Sequence, residues 1–251
     1  MHRYRQSCAT SGMRVVAAAL SDYLKRSRSV RSLRERTVYD TRVMKIGIIG
    51  SGHIGGTLTR RLRTLGHDVT VANSRGPQSL TELARETGAT PGTVETAAQG
   101  ADLVVIAVPV TAVPILPAEA FRGKVVVDAN NYYPQRDGDI AEIADRSLTS
   151  SRWIAQRLPG ARVVKAFNTM MAQHLADYGR PAGDERRLAL PVASDDDDAK
   201  RTVMVVVDEL GFDPVDAGTL DQSWRQQPGT PVSGKDYDVD GVRGSLASAR
   251  P

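Results

Sequence analysis

Hydrophobic positions along the chain form short apolar runs separated by stretches with helical spacing. The runs are continuous rather than alternating, which is typical of strands buried on both faces of a parallel sheet. They lie at 45–49, 68–72, 103–108, 124–129 and 162–167, with a weaker strand near 89–90. Ile54, Leu58 and Leu62 recur at helical spacing between the first two runs. The pattern predicts an α/β fold with a Rossmann-type, doubly wound parallel sheet.

The pattern changes after residue 167. Helices are predicted at 170–178 and 200–210, and strands at 187–193 and 212–216. From residue 219 onward the chain is rich in Gly, Gln and Ser, and we expect it to be irregular. We therefore predict a nucleotide-binding Rossmann domain over 44–167 and a small C-terminal α/β lobe over 168–251. The lobe is expected to complete the substrate site.

Composition narrows the class of protein. The chain has 251 residues, 41% of them hydrophobic, and a single cysteine, so no intrachain disulfide can form. A lone cysteine favours a reducing compartment. No apolar run approaches the roughly 18 residues that a membrane span needs. We expect a cytoplasmic protein without a membrane partner.

The basic character of the chain is concentrated at its start. Residues 1–43 hold nine arginines and one lysine against three acids, a net charge of +7, so the remaining residues carry −3 of the total of +4. Beyond Tyr4, Tyr23 and Tyr39 the segment has no interleaved aromatics, and it has no helical or zinc motif for reading bases, so we expect no nucleic-acid partner. A transit peptide is the less favoured alternative. We predict a basic, disordered N-terminal extension, because Met44 stands directly before the first strand.

A glycine-rich turn follows the first strand. Residues 50–55 read GSGHIG, which fits G-x-G-x-x-G between a strand and an amphipathic helix. In this pattern the first glycine makes the turn, the second admits a pyrophosphate and the third allows close helix packing. A merely structural glycine turn is the alternative. The predicted cofactor-binding residues here are Gly50, Ser51, Gly52, His53, Ile54 and Gly55, and His53 is expected to line the groove rather than transfer protons.

The end of the second strand indicates which dinucleotide binds. NAD enzymes carry an Asp or Glu there to grip the ribose hydroxyl. This chain instead has Asn73, Ser74 and Arg75, a neutral end followed by a hydroxyl and a guanidinium. A guanidinium provides charge and a planar fork suited to a 2′-phosphate. We predict NADP as the cofactor, with a solvated loop arginine as the alternative.

Candidates for acid–base or metal chemistry are few. The four histidines show no metal-ligand spacing, and the acidic run 195–198 is expected to compensate a helix N-terminus rather than bind a cation. Lys165 is predicted to be an exposed lysine at a strand end, with a general acid as the alternative. We therefore predict no metal and no catalytic side chain.

Polar and aromatic residues gather at the carboxyl ends of the predicted strands, where open α/β sheets bind ligands. Val108 and Pro109 follow one strand, 128–134 contains another strand end, and 166–169 a third. These segments supply amides, hydroxyls and apolar walls, which suits two flat rings held face to face for hydride transfer. The predicted substrate-binding residues are Asn130, Phe167, Asn168 and Thr169.

Taken together, these motifs resemble the coenzyme F-420 (F420)-dependent NADP oxidoreductase family. Residues 45–56 and 73–75 resemble the family at large, and 128–134, 164–169 and 223–231 its actinobacterial branch. The resemblance implies metal-free hydride exchange between NADPH and an 8-hydroxy-5-deazaflavin co-substrate, the small-molecule partner. It also implies site roles: the pyrophosphate is lined by Ser51, His53 and Ile54, the 2′-phosphate is held by Ser74 and Arg75, the nicotinamide is bordered by Val108 and Pro109, and the deazaflavin is faced by Phe167, Asn168 and Thr169.

Two other functions stay open on the sequence. One is another NADPH-dependent reductase, acting on an imine, a hydroxy acid or chelated ferric iron. The other is a non-catalytic NADP-sensing protein whose C-terminal lobe binds a partner. Fold alone does not separate these functions. A homodimer is compatible with the small second lobe.

Overall fold

A computed structural model describes residues 43–250, which carry one eight-stranded sheet. The predicted N-terminal extension over 1–43 lies outside this range, apart from its last residue. The strands are β1 (Lys45–Ile49), β2 (Asp68–Ala72), β3 (Thr90–Pro91), β4 (Leu103–Ile106), β5 (Val125–Asp128), β6 (Arg162–Lys165), β7 (Ala189–Ser194) and β8 (Asp213–Asp216). Their order is β3-β2-β1-β4-β5-β6-β7-β8. The first six strands are parallel in the Rossmann order, which confirms the predicted fold class.

Helices follow most of the strands. They are α1 (His53–Thr64), α2 (Thr81–Thr87), α3 (Val94–Gln99), α4 (Pro134–Asp137), α5 (Ala141–Ala144), α6 (Ser150–Arg157), α7 (Ala172–Asp177), α8 (Asp197–Glu209) and α9 (Val239–Ser248). Four 3₁₀ segments add to them, at Pro77–Leu80, Val110–Ile115, Ala118–Phe121 and Leu220–Gln226. None of the helices in the described part of the chain combines the length and apolar character of a membrane span.

The sheet has a hydrophobic core on each face. On β4, Leu103 and Val105 pack into the core that contains α1 and α8, whereas Val104 and Ile106 pack into the core that contains α3 and α6. Successive side chains of a strand point to opposite faces, so a strand covered on both sides must be apolar at every position. This arrangement explains the continuous apolar runs of the sequence.

The C-terminal part of the chain extends the same sheet. Strand β7 runs antiparallel to β6 and parallel to β8. The domain boundary at 167/168 stays a prediction. Strand β7 of the predicted C-terminal lobe pairs directly with β6 of the predicted Rossmann domain. The expectation of an irregular segment from residue 219 is wrong for α9, whose Val242 and Leu246 pack on Ala189 and Val215. Two glycines inside α9 weaken its local helix signal, so packing on β7 and β8 decides its structure.

The acidic run 195–198 caps a helix, as the sequence predicted. Asp196 accepts a hydrogen bond from the Ala199 N–H at 2.9 Å and is the N-cap of α8. Its carboxylate also pairs with Arg162 of β6 at 2.6 Å. The Arg162 guanidinium, followed by the backbone hydrogen bond, holds the pKa of Asp196 well below its usual range. Asp196 therefore ties α8 to the strand that precedes the predicted substrate site.

We predict that Asp196→Ala lowers the free energy of unfolding by about 1–2 kcal/mol, because the cap is lost. Asp196→Asn keeps a capping oxygen and should lose less. Urea unfolding measures both, with Asp198→Ala in the same helical turn as the control. Since the pKa of Asp196 is lowered in the fold, the advantage of the wild type over Asp196→Asn should be present at neutral pH and shrink below about pH 4. A pH-independent difference between these two proteins would contradict the charge argument.

Candidate functional site

The glycine turn joins β1 to α1 with very little space. Gly50 has a φ of +106°, which favours glycine, and its N–H donates to the Ala72 carbonyl at 2.8 Å. A Cβ on Gly55 would lie 1.8 Å from the Gly50 oxygen, so only glycine fits there. A Cβ on Gly52 meets nothing within 4 Å, which shows an open side of the turn. Within the described residues no side chain caps α1, so its N-terminal N–H groups are suited to an anion.

The end of β2 is tied to this turn by one side chain. The Asn73 amide donates to Ser51 Oγ at 3.0 Å and to Ser79 Oγ at 2.9 Å, and its oxygen accepts from the Arg75 N–H. Asn73 was predicted to bind cofactor, and that role stays a prediction; its amide group contacts Ser51 and Ser79. Ser74 and Arg75 are exposed, and the Arg75 guanidinium has no ion-pair partner between residues 43 and 250. Asn73 thus holds the backbone of this loop against the glycine turn, and the loop carries an exposed guanidinium.

A cavity of about 710 Å³ lies at the carboxyl ends of β1, β4, β5 and β6. Nine predicted site residues line it: Gly52, His53, Ile54, Val108, Pro109, Asn130, Phe167, Asn168 and Thr169. The other six form the adjacent turn and the β2 end: Gly50, Ser51, Gly55, Asn73, Ser74 and Arg75. The structure therefore brings both predicted sets to one edge of the sheet, and their individual binding roles stay predictions.

Several lining residues escaped the sequence analysis. Arg136 and Tyr133 lie at the cavity, with the guanidinium 5.2 Å from the centre of the tyrosine ring. Met171 lines it and is 58% exposed, which leaves an apolar surface open to a ligand. Gly234 reaches the cavity because its N–H donates to the Thr169 carbonyl at 2.7 Å. Gly234 and Thr169 are 65 residues apart, so no local sequence pattern indicates their contact.

Reciprocal amide bonds join the ends of β5 and β6 at the cavity. The Asn131 amide donates to the Asn168 carbonyl at 2.8 Å, and the Asn168 amide donates to Asn131 Oδ1 at 3.0 Å. Asn168 also donates to the Gln226 carbonyl at 2.7 Å. These bonds surround Phe167, which is buried with a φ of +62°. A left-handed conformation is strained for a bulky residue and marks a position that the surrounding structure holds in place.

The expectation that Lys165 is exposed is wrong. Its ammonium is buried, lies 3.1 Å from an Asp128 carboxylate oxygen and donates to the Asn130 carbonyl. Burial lowers the pKa of Lys165, and the neighbouring Asp128 carboxylate opposes that shift. The prediction of an exposed lysine did not take into account that β6 pairs with β5. This pairing puts Lys165 directly beside Asp128. A charged residue ending each of two adjacent apolar strands was the signal in the sequence.

The lining chemistry favours binding of rings over proton transfer. Among the described residues that line the cavity, none is an Asp, Glu, Lys or Cys. The titratable side chains there are His53, Tyr133 and Arg136. Amides, the hydroxyls of Thr57, Thr169 and Ser233, and apolar side chains such as Phe167 and Met171 also line the cavity. Such a site can orient and desolvate two reactants.

Comparisons with known proteins agree with this geometry. The family profile described as NADP oxidoreductase, coenzyme F420-dependent, matches residues 45–132. The metalloreductase STEAP3 of Rattus norvegicus is 30% identical over 183 residues, which cover 70% of this chain and 34% of that protein. The chain spans between about a third and a half of the length of the curated relatives it matches.

The matches to two solved structures cover most of the related chain. The hypothetical protein SMa0349 from Sinorhizobium meliloti is 33% identical with a TM-score of 0.68, over 80% of this chain and 98% of that chain. A protein from Arthrobacter sp. FB24, provisionally assigned as an F420-dependent NADP reductase, is 28% identical with a TM-score of 0.61. That match covers 72% of this chain and 87% of the other. With the profile match running from β1 through the glycine turn to the end of β5, the chain belongs to the coenzyme F420-dependent NADP oxidoreductase family.

Proposed function

We propose that the protein transfers a hydride between NADPH and the deazaflavin coenzyme F420. The observation that carries the proposal is the cavity at the β4, β5 and β6 ends, which includes part of the glycine turn and has no carboxylate among its lining residues between 43 and 250. A volume of about 710 Å³ lies within the ordinary range of ligand sites. Membership of the family and the provisional assignment of the Arthrobacter protein support the choice of acceptor.

The adenosine end of NADPH fits the loops beside the turn. The open side of Gly52 leaves room for a pyrophosphate against the α1 N-terminus. Arg75 and Ser74 are exposed on the loop that Asn73 fixes, so they are placed to hold a 2′-phosphate. An acid at this position would instead favour a ribose hydroxyl. These features support NADPH over NADH.

The mechanism in this proposal rests on orientation. Bound NADPH would supply the hydride, and the proton that completes reduction of the deazaflavin would be taken up from solvent. The transfer between the two rings itself then needs no proton donor from the protein. Val108 and Pro109 border one side of the cavity and Phe167 to Thr169 another. The fixed amides of Asn131 and Asn168 keep the second wall rigid. Rigid walls keep the reacting carbons close and exclude water, which provides most of the rate enhancement.

We predict that Arg75→Ala weakens NADPH binding about 10- to 150-fold, because a charge-assisted bidentate contact contributes about 1.5–3 kcal/mol. NADH affinity should barely change. Isothermal titration with both cofactors measures the difference, and Arg243→Ala, an exposed arginine of α9, serves as the control. An equal loss for the two cofactors would argue against 2′-phosphate recognition by Arg75.

Gly52→Ala should weaken NADPH binding about tenfold or more without destabilising the fold. Apart from its neighbours in sequence, the added methyl meets no atom of residues 43–250 within 4 Å, and the backbone conformation of Gly52 suits alanine. It would occupy the space proposed for the pyrophosphate and cost a charge-assisted hydrogen bond. Gly244→Ala, which also has open space but lies inside α9, is the control: it should leave NADPH affinity unchanged and raise the unfolding midpoint slightly. Unchanged NADPH affinity in Gly52→Ala would place the pyrophosphate elsewhere.

A label-transfer experiment tests the proposed reaction. NADPH carrying deuterium on each face of the nicotinamide in turn is mixed with the protein and oxidised F420. We expect deuterium from one face to reach the deazaflavin carbon without washing into water. His53→Ala should slow the reaction far less than the 10²–10⁴-fold typical of a lost general acid or base. Loss of label to solvent would refute direct transfer, and absence of F420 reduction would refute the choice of acceptor.

The similarity to a metalloreductase favours one second candidate. STEAP3 shares 30% identity over 183 residues with this chain, so reduction of chelated ferric iron is the runner-up function. The two functions differ in their acceptor, and the same NADPH oxidation assay compares them. Faster oxidation of NADPH with a ferric chelate than with F420 would favour the runner-up.

A further inference from the structure

A buried ion pair sits directly behind the cavity. Asp128 and Lys165 are the last residues of β5 and β6 and lie side by side in the parallel ladder. Their side chains are at most 1% exposed and are 3.1 Å apart. Ser151 of α6 donates to the same Asp128 oxygen at 2.7 Å. The charges are therefore well paired but removed from water.

The hydrogen bonds of this pair converge on one cavity residue. Asp128 accepts from the Asn130 N–H at 2.9 Å, and Lys165 donates to the Asn130 carbonyl. The side chain of Asn130 accepts from the Val108 N–H at 2.8 Å. Asn130 is thus held at its N–H, its carbonyl and its side chain by strand ends β4, β5 and β6. Lys165 itself does not line the cavity.

Stability does not explain this arrangement. A well-packed apolar pair is often as stabilising as a buried ion pair, or more so, because of the desolvation that the charges require. The other buried residues of β5 and β6 are all valines, so apolar residues fit these strands. What an apolar pair lacks is a donor and an acceptor for the Asn130 peptide groups. The pair therefore has a role in fixing Asn130.

We propose that Lys165 and Asp128 are positioning residues that act through Asn130 on the nicotinamide end of NADPH. They fix the orientation of the Asn130 peptide, and Asn130 in turn fixes the Val108 backbone. The proposal rests on the proposed function in one respect, that Val108 and Pro109 border the nicotinamide. It excludes Lys165 as a proton donor to substrate, since its ammonium is committed to Asp128 and to a carbonyl.

The variants separate positioning from stability. Lys165→Met leaves the Asp128 carboxylate buried without its partner and should lower the unfolding midpoint strongly. The double variant Asp128→Asn/Lys165→Met removes both charges and keeps an oxygen for the Asn130 N–H, so its midpoint should recover. Lys124→Met, one residue before β5 at the opposite edge of the sheet, controls for loss of a lysine that donates to backbone carbonyls. Ser151→Ala loosens Asp128 without changing any charge.

Two ligands give a readout that needs no hydride acceptor. NADPH and adenosine 2′,5′-bisphosphate share the 2′-phosphate end, and only NADPH has a nicotinamide. In the double variant we expect NADPH affinity to fall about tenfold, while affinity for the bisphosphate stays within about twofold. Nicotinamide fluorescence anisotropy should fall as the bound ring becomes mobile. Ser151→Ala should show the same pattern at about threefold.

Each outcome decides the proposal. Recovery of both the midpoint and NADPH affinity in the double variant would overturn it, as would equal weakening of the two ligands. If the double variant does not fold, Ser151→Ala decides, and unchanged NADPH affinity there overturns the proposal. Wild-type protein that binds neither ligand overturns this proposal together with the proposed function. NADPH binding with this pattern, but no reduction of F420, overturns the proposed acceptor alone.

Discussion

The structure depends on one row of residues that crosses the parallel sheet. Ala72, Ile49, Ile106, Asp128 and Lys165 are register partners in successive pairs, and each is the last residue of its strand. Because the ladders are parallel and in register, five strands stop at the same level. The chain leaves the sheet there five times, and a crevice forms between the departing segments. The glycine turn, the 73–75 loop and the cavity walls all begin one to three residues beyond this row.

The row also explains how an apolar sheet carries a polar site. Within the strands nearly every side chain must be apolar, since both faces are covered. Buried polar groups are tolerated where strands end, because neighbouring segments can form hydrogen bonds with them there. Asp128 and Lys165 are the two charges that occupy the row itself, and their ion pair and peptide bonds satisfy them. The two charged side chains thereby hold the Asn130 backbone in place beside the cavity.

The two loops to which the proposed function assigns the dinucleotide are joined by one asparagine. The α1 N-terminus has uncapped N–H groups, which the proposal assigns to the pyrophosphate, and the exposed Arg75 is assigned to the 2′-phosphate. Asn73 bonds to Ser51 in the first loop and to Ser79 in the second. This link holds the backbones of the two loops next to each other. In the proposed function, affinity for the dinucleotide and selectivity for its phosphate would therefore depend on a shared local geometry.

Local physical chemistry made much of the molecule predictable from sequence. Strands β1 and β2 begin and end where the apolar runs do, and the G-x-G-x-x-G turn joins β1 to α1 as predicted. The strand ends do meet at a cavity, and all four residues predicted to bind substrate, among them Asn130 and Thr169, line it, while their binding roles stay predictions. These features follow from side-chain period, turn geometry and the location of strand termini.

Contacts between distant segments were decided by the tertiary structure alone. The burial of Lys165 depends on its pairing with Asp128, 37 residues earlier, and the cavity position of Gly234 depends on a bond to Thr169. Helix α9 forms although it contains two glycines, because Val242 and Leu246 pack on strands β7 and β8. A sequence pattern reports the preferences of neighbours along the chain. Strand register and packing are set by the whole fold, so they determine which charge is buried and which loop reaches the site.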